Sequence, residues 1–384
     1  METVKGFQDF LGKDAEIREE IAKILIQNFK LYGFEPAETP IVEFEEFVKG
    51  NNEYDEAVSD IFRLKDKGER NLALRYELTF PLKRISQNKK LPYKRYQIGP
   101  VFRDEPTTSN RFRQFTQCDI DTIGSSIKDE AEILALANSI MKDLGIKAEI
   151  QVNSRKLLNS LIKSLGIENA EFVLREIDKV DKQGEDSVKS DLAKFIDKTT
   201  IIQLFKILRK PFTFFKKFDG FKELKELIDL TETYGFKVKF NPTIIRGLSY
   251  YNENIWEIKG DMKETITAGG SYLMNNVQST GISFGLERLS QLAKIKLNEK
   301  KVLVISINED ERAIKLALSI RKQQVPCIIM DKISKALEYA NSNNIPYVIF
   351  IGSEEVKKKK YKFKDMKSGK EEYLNSKDIL ERVK

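Results

Sequence analysis

Not one of the 384 residues is a histidine. That absence excludes a Ser-His-Asp triad, histidine-activated cysteine chemistry and histidine-ligated zinc together. Any catalysis must rest on Arg, Lys, Asp, Glu, Tyr or a metal held by oxygen. Cysteine is almost as scarce. Cys118 and Cys327 are too few for a disulfide framework and point to a reducing, cytoplasmic setting. No long apolar run occurs and 33% of the residues are charged, so a membrane span is not expected. The opening METVKGFQDF has no signal-peptide pattern. Charge of both signs is what abounds, and the net +7 is compatible with nucleic acid without pointing strongly to it at this size. The length predicts two or three domains with ample core.

The informative stretch runs from Leu72 to Gly124. From Arg111 onward the residues alternate. Arg111, Arg113, Phe115, Gln117, Asp119 and Asp121 fall on one parity; Phe112, Thr116, Cys118 and Ile120 fall on the other. Successive strand side chains point to opposite faces, so the second, largely apolar set belongs on a core. Upstream, Arg103 and Glu105 share a parity, and the segment PTTSN (106–110) is a turn signal. The pattern predicts a long hairpin with one charged face. Such a face is either half-solvated sheet or a site. Guanidinium forks suit phosphates and carboxylates, an aromatic ring suits a base, and carboxylates suit ammonium or N–H donors. Together they fit a nucleotide beside an amino acid.

The segment RYQIGPVFRDEPTTSNRFRQFTQCDID resembles motif 2 of class II aminoacyl-tRNA synthetases, and in detail that of histidyl-tRNA synthetases of the archaeal and eukaryotic type. Other stretches carry the resemblance further. The chain start KGFQDFLG is similar to the family's opening. A helix with Ile17, Ile21, Ile24, Leu25 and Phe29 at helical spacing, N-capped by Asp14 and stopped at Gly33, leads into an extended segment with Pro40 that resembles motif 1. Leu72–Thr79 reads as a strand with Arg75, Glu77 and Thr79 on one face. IRGLSYY (245–251) resembles the family-specific signature, with Ser249 where the family has Asp. AGGSYL (268–273) resembles its GGRYD, with Ser271 and Leu273 in place of Arg and Asp. GISFGLERL (281–289) resembles motif 3, with Arg288 in a helix's first turn.

The resemblance implies an α+β catalytic domain built on an antiparallel sheet over residues 1–298. A helical insertion occupies about 154–234, and a C-terminal α/β anticodon-binding domain follows over 299–384. The insertion can also be read from its residues as a helical part of the main core. The resemblance implies a histidine–tRNA ligase working through a histidyl-adenylate, with ATP, histidine and tRNA(His) as partners, as a homodimer. Arg103 and Arg246 would be catalytic. Glu77, Thr79, Arg103, Gln117, Asp121, Arg246, Tyr250 and Tyr251 would bind histidine. Arg103, Glu105, Arg111, Arg113, Phe115 and Arg288 would bind ATP, with Mg²⁺ on its phosphate oxygens and no side chain as metal ligand. The alternative is a non-catalytic paralogue, regulatory or tRNA-binding, which the changes at Ser249, Ser271 and Leu273 keep open.

Overall fold

The computed structural model describes residues 1–50, 56–108, 111–245, 250–260, 265–297 and 301–384, with the side chains of 56, 57, 181 and 182 left aside. Arg246 and Ser249 therefore lie outside the described residues, as does the joint at 298–300. The chain divides into two compact units, Met1–Ile295 and Lys296–Lys384.

In the first unit the strands are β1 (Glu35–Pro36), β2 (Val42–Phe44), β3 (Arg63–Lys65), β4 (Asn71–Leu74), β5 (Tyr93–Phe102), β6 (Gln114–Ile123), β7 (Glu149–Ser154), β8 (Lys239–Phe240), β9 (Tyr251–Lys259), β10 (Thr265–Met274) and β11 (Val277–Gly285). Among the described residues they form an eight-stranded sheet, β1-β5-β6-β11-β10-β9-β7-β8, and a small one, β2-β4-β3. The central pairings are antiparallel; only the edge strands β1 and β8 pair in parallel.

One face of the large sheet carries the core. Cys118 and Ile120 of β6, Trp256 and Ile258 of β9, and Ile282 and Phe284 of β11 all point there. Two long helices cover them. Gly12–Leu31 contributes Ile21, Leu25 and Phe29, the stripe its spacing predicts. Asp14 is not its N-cap. Leu11 is, and Asp14 sits in the first turn, where a carboxylate meets the positive end of the helix. The helix Ile127–Asp143 starts at Ser126 with a capping box to Asp129 and buries Ile133, Leu134, Ala137 and Met141.

The region after β7 is helical, as its period predicts, from Arg155–Ser164 to Phe221–Thr233. Its apolar side chains run continuously into the sheet's core, through Leu157, Leu161, Leu204, Leu224 and Leu227. Its first helix packs on β9 and its last on the helix Ile127–Asp143. At both ends this region is thus part of the main core.

The second unit has β12 (Val302–Ser306), β13 (Cys327–Met330), β14 (Tyr347–Ile351), β15 (Tyr361–Asp365) and β16 (Glu371–Leu374), in the order β13-β12-β14-β15-β16. Alternate residues of β12 feed opposite cores. Val302 and Val304 join Leu316, Ile320 and Ile379 on one side; Leu303 and Ile305 join Ala336, Ala340 and Val348 on the other. This is the three-layer arrangement expected where strands read as continuous apolar runs.

A buried polar cluster sits on the core face of the first unit. Glu130 accepts hydrogen bonds from Asn254 (2.7 Å) and Ser271 (2.5 Å). Burial pushes its carboxyl up to about 7, the two hydrogen bonds opposing the shift. Between the unfolded value near 4.5 and the folded value near 7, the native state keeps a proton that the unfolded chain sheds. Stability from this group is therefore full below about pH 4.5 and is lost as pH rises through 7, by roughly 3 kcal/mol in total. Urea unfolding read by Trp256, the chain's one tryptophan and fully buried, should show the parent's midpoint falling between pH 5 and 8 more steeply than that of Glu130→Gln. Parallel slopes would contradict this.

Candidate active site

The opposite face of β5 and β6 carries the predicted constellation. The two strands pair from Tyr93↔Ile123 to Phe102↔Gln114, which sets Arg95 opposite Asp121, Gln97 opposite Asp119, Gly99 opposite Gln117 and Val101 opposite Phe115. The strands end sooner than alternation suggests. Arg103 lies just beyond β5, and Arg111 and Arg113 lie in the connecting loop. Burial then grades along β6. Arg111 is exposed, Phe115 half-buried, and Gln117, Asp119 and Asp121 buried. Phe115 and Asp121 are six residues apart, so the line spans about 20 Å.

At the open end, Arg103 lies over the Phe115 ring, its guanidinium carbon 5.2 Å from the centroid, and its Nε donates to Tyr76 O at 3.1 Å. Glu105 is buried and ion-paired with Arg111. Arg113 donates to Glu105 O at 3.2 Å and lies 3.1 Å from Asp104. Arg111 and Arg113 thus already hold anions, and phosphate binding there would exchange one anion for another. Arg288, half-buried in the helix Leu286–Leu292, donates to Thr265 O.

At the closed end, Asp121 accepts a hydrogen bond from the Tyr272 hydroxyl and is ion-paired with Arg95 at 2.7 Å. Gly281 is directly opposite Asp121, and a Cβ there would run into the Asp121 carboxylate and Ile120 O. A side chain at Gly270 would strike Tyr251, Asn254 and Ile255. The glycines of AGGSYL are thus mid-strand positions that make room for other side chains. The tyrosine pair departs from strict alternation. Tyr250 precedes β9, and its ring contacts both Tyr251 (4.8 Å) and Tyr272 (5.5 Å, edge-on). Burial, then the neighbouring Glu77 carboxylate, holds the Tyr250 phenol well above its usual range. Glu77 is buried and accepts from Phe80 N–H at 3.2 Å. It lies in a turn beyond β4, which stops at Leu74, so the longer strand expected through Thr79 does not form. Half-buried Thr79 follows in the same turn. Gln117, between the two ends, donates to Ser283 at 2.9 Å. Burial raises Asp119 to about 7 and raises Asp121, while Arg95 opposes both shifts.

The structure therefore brings Arg103, Glu105 and Phe115 to one end of a single line, Asp121, Glu77, Tyr250 and Tyr251 to the other, with Gln117 between them. A family profile described as Histidyl-tRNA synthetase matches residues 6–289. The chain belongs to the histidyl-tRNA synthetase family. A second profile, Anticodon binding domain, matches residues 301–384. Histidine–tRNA ligase 1 of Bacillus cereus is 33% identical over 97% of this chain and 94% of its own. The histidine–tRNA ligase of Clostridium tetani is 32% identical over 99% of this chain and 97% of its own. Among solved structures, histidyl-tRNA synthetase from Nostoc sp. PCC 7120 has a TM-score of 0.86 at 24% identity, covering 100% of this chain and 98% of that one. One described as an ATP phosphoribosyltransferase regulatory subunit/histidyl-tRNA synthetase from Bacillus halodurans C has 0.78 at 20%, covering 91% and 97%. Those two likenesses show the class II fold.

Two residues that the structure places on this face were not singled out from the sequence. Arg95 continues the Arg103 parity back along β5, through Val101, Gly99 and Gln97, so extending that alternation would have placed it on the site face. Tyr272 stands in the AGGSYL motif, but only the β10–β11–β6 register shows that it reaches Asp121. Arg103→Ala should lower the kcat of histidine-dependent ATP–pyrophosphate exchange by roughly 10²–10³, with an unchanged urea midpoint. Exchange at the parent's rate would remove Arg103 from the chemistry.

Proposed function

We propose that this chain joins histidine to its tRNA in two steps at the β5–β6 face. A carboxylate oxygen of histidine attacks the α-phosphorus of ATP, forming histidyl-adenylate and releasing pyrophosphate. The terminal ribose hydroxyl of tRNA(His) then attacks the acyl carbon, and AMP leaves. The nucleophile of the first step is already an anion, so no acid–base histidine is needed. The demand is for positioning and for neutralisation of charge building on the α-phosphate. Arg103 supplies that from the hairpin, and Arg246 is the expected second donor. Phe115 offers a stacking face to adenine, Glu105 its amino edge, and Arg111, Arg113 and Arg288 the phosphates. Glu77, Thr79 and Gln117 take the substrate ammonium; Asp121 and Tyr251 read the imidazole. Among the described residues no group of three or more Asp, Glu, Cys or His could hold a metal. Asp104 and Glu105 are engaged by arginines. Mg²⁺ would enter on the ATP phosphates, where it offsets their charge.

The observation that carries this reading is the single line of side chains from Arg103 and Phe115 to Asp121, long enough for an adenylate with its amino acid. The paralogue alternative loses one of its supports. Ser271 points into the core towards Glu130, away from the site, so this departure from the family motif does not touch the ligand face.

A homodimer is part of the same proposal. Phe44, Leu72 and Leu64 stand side by side across β2, β4 and β3, with Val42 opposite Leu74 beside them. Phe44 is 57% exposed, Val42 43% and Leu64 40%, an apolar sheet face open to a second copy. Cys118 and Cys327 are free thiols and buried, and no helix among the described residues is long and apolar enough to cross a membrane; the cytoplasm suits both.

ATP–pyrophosphate exchange run with each amino acid in turn should respond to histidine alone. No response to any would favour the paralogue. Phe44→Glu should shift the sedimentation of the purified protein from dimer to monomer, and an unchanged profile would locate the interface elsewhere.

A further inference from the structure

Arg95 has no exposed surface and stands directly opposite Asp121. Its Nη2 donates to Leu78 O at 2.7 Å and lies 2.7 Å from Asp121 Oδ2. The second approach is too poorly aligned for a hydrogen bond, so Oδ2 feels the charge and keeps its acceptor capacity. Asp121 Oδ1 is taken by the Tyr272 hydroxyl. Backbone of Ile120 and the absence of a side chain at Gly281 leave the carboxylate just the room it occupies. The group therefore faces a cation, is fixed in rotation, and has one oxygen without a hydrogen-bond partner. Those are the requirements for reading an N–H on a ring that must be distinguished from carbon isosteres, because a buried acceptor left unmatched is costly.

Arg95 has more to give than it uses. Its Nε and Nη1 have no hydrogen-bond partner among the described residues, and neither has Asp119 Oδ1, two residues along β6. Gln97, opposite Asp119 on β5, is hydrogen-bonded to Thr39 at 3.0 Å. One guanidinium thus balances two buried carboxylates without being locked to either.

We propose that Arg95 is the positioning residue for amino-acid selection: from beneath the site it holds Asp121 as an anion aimed at the imidazole N–H of the substrate. This rests on the reading of Asp121 as the imidazole contact. The groups facing Asp121 are Arg95 from β5, Asp119 on its own strand and Tyr272 from β10, with Tyr251 of β9 beside Tyr272. Burial raises the Asp121 carboxyl, and Arg95 is the first group that opposes the rise. Without Arg95, Asp121 takes up a proton at higher pH and ceases to be a pure acceptor.

Removing Arg95 alone strands two buried charges, so the double variant Arg95→Gln/Asp119→Asn, which removes one charge of each sign, is the main test. The expected result in ATP–pyrophosphate exchange is a histidine KM raised roughly tenfold or more, about 1.4 kcal/mol, with the ATP KM unchanged. The pH below which histidine KM climbs should move upward relative to the parent. Arg95→Lys, which restores a cation, should recover part of the loss and serves as the sole probe if the double variant does not fold. Histidine KM and its pH profile unchanged, or both substrates' KM rising together with a lower urea midpoint, would overturn the inference. A parent enzyme that shows no histidine-dependent exchange would instead overturn the functional reading.

Discussion

Burying Asp119 and Asp121 on the inner half of β6 is the constraint around which the catalytic unit is arranged. An isolated carboxylate in a protein interior costs several kcal/mol unless it is paired or takes up a proton. Each neighbour answers that cost in a different way. Arg95 brings a full positive charge into a position with no solvent access, Tyr272 donates its hydroxyl, and Gly281 and Ser283 keep the facing strand from crowding the pair. The answer is partial, since Asp119 stays raised to about 7. A region tuned for stability alone would fill this space with apolar side chains. Retaining half-balanced charge here makes sense where a ligand completes the balance.

The two faces of the sheet use charge differently. On the site face, charged groups grade from exposed arginines to buried acids along the hairpin, so the dielectric falls from its open end to its closed end. Interactions at the inner end are stronger per pair and more sensitive to a wrong partner. On the core face, Glu130 has no cation beside it among the described residues and is met by the hydroxyl of Ser271 and the amide of Asn254. An acid so placed raises its own proton affinity and adds nothing to the reaction. The contrast separates a buried acid that a guanidinium holds ready from one that burial merely tolerates.

Much of this was legible in the letters. The parity of Phe115, Gln117, Asp119 and Asp121 gave their shared face, and the stripe Ile21, Leu25, Phe29 gave the covering helix. Depth was not legible. An alternating polar strand reads the same whether its polar face meets water or a pocket, because period reports side and not cover. Strand ends were also misjudged. At Arg75–Thr79 and at Arg111–Arg113 the alternation continues past the last ladder pair, since side-chain parity persists in any extended chain. Tyr250 and Tyr251 failed the alternation rule for the same reason in reverse: the first lies ahead of β9, where nothing compels its ring to the opposite face.

Register explains how a motif can lose a residue and the site keep its shape. Ser271 belongs to a signature, yet the pairing of β10 with β9 and β11 turns it to the core, while Gly270 and Tyr272 on either side share the face of Asp121. A change at Ser271 therefore acts on Glu130 and on stability, whereas a change at Gly270 or Tyr272 acts on the pocket that holds Asp121. Alternation along one strand divides a single motif between two physical tasks. Departures from a family pattern weigh against function only when they fall on the face that does the chemistry.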